Sequence, residues 1–308
     1  MALAVFNYQF AKNEIYRNYT IALKINPDKI TELEQIPFMP IEFFKTQKVI
    51  SGLENKNKES MLFTSSGSIN SKHYVSDISI YEKSFRNGFE YFYGNIDEYC
   101  ILALLPSYLE REGSSLIYMM EDFIKTSNNP SSDFFLHNYD ELIVILKQIE
   151  SENKKTILVG VTYALLDLIE KQNFKLKNTI IMETGGMKGK RKEMVREELH
   201  SLLCKGFGVD VIHSEYGMTE LLSQAYSKDD GIFNCPPWMK ILIRDTNDPF
   251  TFLPHQKTGG INVIDLANIN SCSFIATQDL GKSYADNSFE VLGRFDNSDI
   301  RGCNLMME

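Results

Sequence analysis

Cysteine is scarce and scattered in this sequence. Cys100, Cys204, Cys235, Cys272 and Cys303 are odd in number and form no CxxC or other zinc-ligand spacing, which speaks against a disulfide framework and a structural zinc site. They read as reduced thiols of a cytoplasmic protein. Long apolar runs are missing too. None approaches the roughly 20 residues of a membrane span, and no basic leader precedes an apolar stretch in MALAVFNYQFAKNE, so neither an anchor nor a secretory signal is expected. Positive charge is in deficit, with 32 Lys and Arg against 41 Asp and Glu for a net charge of −9, and that field repels nucleic acid and anionic lipid surfaces. What is present is an ordinary globular composition, 43% hydrophobic and 24% charged over 308 residues, enough for a large buried core.

Apolar spacing predicts helices from Phe6 to about Lys24, then a strand, a Ser/Gly loop and a second strand in MLFTSSGSINSKHYV. A helix is expected over Asp77–Tyr93 and a buried strand over Cys100–Pro106, with further helices near Ser114–Lys125 and Tyr139–Glu152. Strands at Thr156–Val161, Asn178–Glu183 and VDVIHSEYG alternate with helices at LLDLIEKQ and Lys192–Leu203, the signature of a parallel sheet. From about Gly231 the texture changes to short β-rich pieces: MKILIRD, GGINVIDL, SCSFIATQDL and SFEVLGRFD. The expected architecture is α/β, with mixed, mostly parallel sheets flanked by helices. Residues 1–230 form the body with a helical entry region, and 231–308 a β-rich C-terminal part and tail.

Several segments can carry chemistry. Ser65, Ser66, Gly67 and Ser68 place hydroxyls and unhindered amides after a strand, where they can donate to phosphate oxygens, although a plain surface loop has the same composition. SEYGMTE follows a strand and so sits at the carboxyl edge of the sheet. There Tyr216 offers a ring for stacking, Thr219 a hydroxyl for phosphate and Glu220 a carboxylate for Mg2+; a tight turn with a capping Thr is the alternative. Gly185 and Gly186 permit close backbone approach, and Lys188, Lys190, Arg191 and Lys192 crowd the expected start of a helix, where their charge opposes the macrodipole. Such a cluster either invites an anion or is simply a solvated face. Asp279 in ATQDLG can accept two ribose hydroxyls and Arg294 can add charge to the same sugar or to a phosphate, while turn chemistry explains both equally. Cys303 follows Arg301 and Gly302 near the chain end, where a neighbouring arginine favours the nucleophilic thiolate, although an incidental tail thiol fits the same position equally. FEYFYG (Phe89 to Gly94) could line an acyl or aryl pocket or serve as core.

The order Ser/Gly loop, YGMTE, Asp-bearing turn and GRFD resembles the adenylate-forming superfamily of acyl-CoA and aryl-CoA ligases and luciferases. LPSYLEREGSSLIYM, the GGMKGK segment and the terminal DIRGCNL are more closely similar to the LuxE-type acyl-protein synthetases, over roughly Met61 to the end. That resemblance implies the fold of the superfamily's N-terminal domain without its C-terminal lid domain. It implies ATP and Mg2+ as cofactors and activation of a carboxylic, fatty, acid to an acyl adenylate. The Ser65–Ser68 loop would handle the triphosphate, Tyr216 and Gly186 would flank adenine, and Thr219 would contact the α-phosphate. Glu220 would hold the metal, Asp279 the ribose and Arg294 the nucleotide. Cys303 would accept the acyl group and pass it to a partner, an acyl-CoA-reductase-like subunit or an acyl carrier. The loop departs from the superfamily pattern, with Ile69 for Thr and Asn70 for Gly, removing one phosphate-contacting hydroxyl. A catalytically weakened nucleotide-binding module and a CoA or carrier ligase completed in trans are the alternatives. The first sixty residues carry no functional signal.

Overall fold

The two kinds of strand announced by the sequence acquire two kinds of environment. The computed structural model describes residues 1–52, 60–65, 70–106, 112–187, 190–192 and 194–295. In the first half, strands β4 (Cys100–Leu104), β5 (Asp133–Phe135), β6 (Thr156–Val161), β7 (Thr179–Thr184) and β8 (His213–Tyr216) run parallel in the order β5-β4-β6-β7-β8. All six residues of TILVGV and all five of CILAL are buried, because helices cover both sheet faces and leave no polar side to alternate. The covering helices are α4 (Ile78–Tyr93), α5 (Ser115–Ser127), α6 (Tyr139–Ser151), α7 (Thr162–Lys171) and α8 (Arg196–Phe207); α1 (Ala2–Lys12), α2 (Glu14–Ala22) and the short α3 (Phe43–Thr46) precede them.

Helix ends follow local chemistry. Asp77 caps α4 by accepting from the Ser79 amide at 3.2 Å, and Ser114 caps α5 by accepting from Ile117 at 3.3 Å. Gly208 closes α8 in the left-handed conformation at φ 67°. The expected Lys192 start of that helix lies too early. Arg196 begins it with Glu197 and Glu198 in the first turn, so acidic rather than basic residues meet the positive end of the dipole.

The C-terminal strands continue the same sheet. Beyond β8 follow β9 (Ala225–Ser227), β10 (Ile232–Asn234), β14 (Phe289–Arg294), β13 (Phe274–Ser283), β12 (Gly259–Asp265) and β11 (Met239–Arg244), all antiparallel to their neighbours, and β1 (Met39–Pro40) adds a parallel pairing to β13. Here MKILIR alternates buried and half-buried residues, the mark of one covered face. Strands β2 (Met61–Thr64) and β3 (Lys72–Val75) form a separate antiparallel hairpin, as the sequence predicted around its Ser/Gly loop.

Two cores result. The parallel half and its helices share one, from Phe63 to Tyr226. The helical entry region, expected with the body, instead buries Val5, Phe6, Tyr16 and Phe44 in a second core with Ile241, Ile261, Val263, Phe274 and Phe289 of the C-terminal strands. Hydrophobic periodicity shows that α1 and α2 need a covered face but not which face covers it. Gln9 and Asn13 fix that choice. The Gln9 amide donates to the Asn268 carbonyl at 2.9 Å and accepts from the Ser273 amide at 3.0 Å, while Asn13 donates to the Ser271 carbonyl at 2.9 Å.

Candidate active site

The parallel and antiparallel halves meet at Tyr216, the last residue of β8, where the chain leaves the sheet as Gly217–Glu220 before returning in β9. Tyr216 is buried, with its ring edge-on to Phe289 and Phe233 at centroid distances of 5.6 and 6.0 Å. Its hydroxyl donates to Asp279 Oδ2 at 2.8 Å. Burial pushes the phenol far above its usual range, and the Asp279 charge adds to that. Asp279 is not in a turn. ATQDLG runs on inside β13, where Asp279 lies directly opposite Arg294 of β14, and Arg294 Nε donates to Asp279 Oδ1 at 3.1 Å. A register shift at Leu280/Gly281 follows at once. Three sequence-predicted residues therefore join in one row, Tyr216, Asp279 and Arg294, with the guanidinium largely exposed at its outer end.

Glu220 is buried, and burial pushes its carboxyl up while the Ser71 hydroxyl, Arg294 and backbone donation hold it down. Thr219 lies beside it, partly exposed. Sequence reasoning missed the residues that fix this turn. His73, on β3, is fully buried and hydrogen-bonds the Thr219 carbonyl through Nδ1 at 2.8 Å; burial lowers its pKa to about 4, so the ring is a neutral donor to a carbonyl. Asn268 donates to the Glu220 carbonyl at 2.7 Å. Buried Asp265 accepts from the amides of Leu222 and Ser223 at 2.8 and 3.0 Å and from the Ser223 hydroxyl at 2.6 Å. Since Asn268 is itself held by Gln9, the first helix, silent in sequence, buttresses the turn. No spacing rule marks a supporting residue 259 positions away.

The Ser/Gly loop is closed at its base, where Ser71 donates its amide to Ser65 Oγ at 2.8 Å and Ser65 donates its own to the Ser71 carbonyl at 3.1 Å. Ser71 also reaches Glu220, so the hairpin and the YGMTE turn share a wall. Ser66, Gly67, Ser68, Lys188 and Cys303 lie outside the described residues. Gly185 and Gly186 both take left-handed backbone, at φ 74° and 67°, and follow β7 at the same carboxyl edge as Tyr216 on β8. Arg191 does not wait for an anion: it binds Asp167 through Nε at 3.0 Å and Glu170 through Nη1 at 2.6 Å. The basic cluster's expected conflict with a helix dipole is thereby resolved, because the cluster precedes the helix and its arginine is neutralised by α7.

Behind the turn, between the sheet and helices α4 and α5, lies an apolar cavity of about 10 Å3, lined by Phe89, Leu116, Met120, Phe123, Met182 and Tyr226 among others, with Glu215 its one carboxylate. Phe89 of FEYFYG thus serves both as core and as pocket lining. Among the described residues no three His, Cys, Asp or Glu gather as a metal cage, and no helix is long and apolar enough to cross a membrane.

A 2-hydroxyisobutyryl-CoA ligase, solved with 2-HIB-AMP and CoA, superposes with a TM-score of 0.72 at 11% identity, covering 96% of this chain and 68% of that one. ATP-bound MatB from Rhodopseudomonas palustris gives a TM-score of 0.57 at 14% identity over 78% of this chain, which spans about half (49%) of MatB. This chain shares the fold of those proteins. The long-chain-fatty-acid–luciferin-component ligase of Vibrio harveyi is 23% identical over 328 residues, covering 98% of this chain and 85% of the relative. The profile of the acyl-protein synthetase family, LuxE, matches residues 1–308, and the chain belongs to that family.

Proposed function

We propose that this chain uses ATP to activate a fatty acid and then carries the acyl group on Cys303. The acid's carboxylate attacks the α-phosphorus of ATP, forming a P–O bond as pyrophosphate leaves, to give the acyl adenylate. The Cys303 thiolate then attacks the acyl carbonyl, a C–S bond forms, AMP departs, and the thioester is available to a partner such as an acyl-CoA-reductase-like subunit or an acyl carrier. The observation that carries this reading is the convergence of Tyr216, Asp279, Arg294 and the Glu220 turn at one sheet edge, in a LuxE-family chain.

Asp279 already accepts from Tyr216 and Arg294, one donor per oxygen, so ribose hydroxyls would use the remaining lone pairs of a carboxylate held in place from both sides. Arg294 would offset phosphate charge, Thr219 would donate to the α-phosphate, Gly186 would let adenine approach the backbone beside Tyr216, and the Ser65–Ser68 loop would cradle the triphosphate. For Mg2+ the chain supplies one carboxylate, Glu220. That suits an ion arriving with ATP, since Mg2+ ordinarily keeps phosphates and waters as its other ligands. Bound there, it would offset phosphate charge. The acid's hydrocarbon tail would occupy the apolar cavity against Phe89 and Phe123.

ATP–pyrophosphate exchange with a panel of fatty acids tests the first step; no exchange with any acid would refute it. Radiolabelled fatty acid with ATP tests the second. Label should fix covalently on the wild type and not on Cys303→Ala, and release of free acyl-CoA instead would identify a CoA ligase.

A further inference from the structure

The apolar cavity has one polar corner. Glu215 on β8 and Tyr226 on β9 are direct cross-strand partners, so their side chains stand side by side on one sheet face, the face that α4 and α5 cover. Tyr226 is 2% exposed, and its hydroxyl has no hydrogen-bond partner. Such a group costs stability unless something else repays it. Glu215 bonds only the Thr184 hydroxyl among the described side chains, through Oε2 at 2.6 Å. Its other oxygen folds back over Gly217, where a Cβ would come within 2.4 Å of Glu215 Oε1. The carboxyl therefore sits between the cavity and the Gly217–Glu220 turn.

Resting on the activation reading above, we propose that the cross-strand pair Glu215 and Tyr226 selects the acid: a carboxyl and a hydroxyl side by side where the substrate's carboxylate passes from the apolar cavity to the Tyr216–Glu220 turn. The groups facing Glu215 are Tyr81 and Tyr93 from α4 and Tyr226 from β9, while Glu183 of β7 acts on it from the opposite sheet face; α5 contributes only the apolar Leu116, Met120 and Phe123 to the cavity. No cation among them favours the ionised form. Burial pushes the Glu215 carboxyl up to about 7, Thr184 opposes this and the Glu183 charge adds to it. Below that pH Glu215 is a donor to an incoming carboxylate; above it, two like charges would meet in an apolar corner, which is strongly disfavoured. The cavity has room for about one water in the structure, so a chain must displace side chains, and Met120 and Met182 are the flexible ones available to move.

Binding of the fluorescent cis-parinaric acid, followed from pH 6 to 9 on the full chain, tests the proposal without requiring catalysis. The wild-type Kd should rise by up to about tenfold per pH unit above 7, whereas Glu215→Gln, which keeps a donor but cannot ionise, should bind with little pH dependence. Tyr226→Phe should weaken binding several-fold at pH 6.5 and leave the slope intact. Identical pH profiles for wild type and Glu215→Gln would overturn the idea. Should Glu215→Gln not fold, Met120→Trp keeps the test alive: it fills the cavity and should abolish binding at every pH, and undiminished binding would place the acid elsewhere. In the exchange assay the change should fall on KM for the acid and not on KM for ATP. Exchange that proceeds with an unaltered acid KM refutes selection by Glu215 and leaves activation standing. Lack of exchange alongside the expected binding profile refutes activation alone.

Discussion

Glu183 and Glu215 sit on neighbouring strands, β7 and β8, yet on opposite faces of the sheet, and the protein treats them in opposite ways. Glu183 turns towards α8, where Arg196 donates at 2.8 Å, Ser214 at 2.7 Å and Thr162 at 3.2 Å, with the His200 ring 3.7 Å away. Burial alone would push its carboxyl up, but His200, Arg196 and Ser214 together hold it below the usual range. Glu215, turned towards α4 and α5, has a single hydroxyl and rises to about 7. A buried charge with a full complement of partners is architecture. One left nearly alone beside a cavity is a candidate for chemistry, because little in the resting fold satisfies it.

The sharpest way to break this comparison is to remove each carboxylate. Glu183→Ala strands Arg196 in a partly buried position and should cost on the order of 3 kcal/mol in urea unfolding, whereas Glu215→Gln should be nearly neutral or stabilising at pH 8. Equal losses would erase the distinction.

Stability against pH sharpens it further. Glu215 has a raised folded pKa, so its proton is held more tightly by the native chain. Its contribution is greatest below the unfolded carboxylate value and is lost as pH rises through about 7, a decline of about 3 kcal/mol that Glu215→Gln should lack. Glu183 is depressed, so its contribution is present above the unfolded value and is lost only as pH falls through the lower folded one. A wild-type minus Glu215→Gln difference that stays flat between pH 5 and 8 would contradict the assignment.

His73 tests the turn that both halves support. His73→Ala should lower the exchange rate by about tenfold, with His73→Asn restoring part of it by donating to the Thr219 carbonyl. Equal loss in both variants, tracking loss of thermal stability, would make the histidine merely structural. The smallest effect belongs to Arg191→Ala, which breaks half-exposed ion pairs to Asp167 and Glu170 and should change stability by about 1 kcal/mol or less without altering KM for ATP.

The sequence by itself determined the order of elements and the segments bearing chemistry. TILVGV had to be a strand covered on both faces because no polar residue interrupts it, and Asp77 and Ser114 had to start helices because their oxygens satisfy free amides there. The ordered motifs also set the LuxE family apart, although Ser66–Ser68 and Cys303 fall outside the described residues. Tertiary structure alone decided that Asp279 belongs to a strand opposite Arg294 and under Tyr216, that His73, Asp265 and Asn268 hold the Thr219–Glu220 turn, and that the first helix props it from behind. It alone separated Glu183 from Glu215. Local periodicity records which residues need burial, whereas a carboxyl's charge depends on which donors the rest of the chain brings within about 3 Å of it, and those donors come from other strands and helices that no local pattern names.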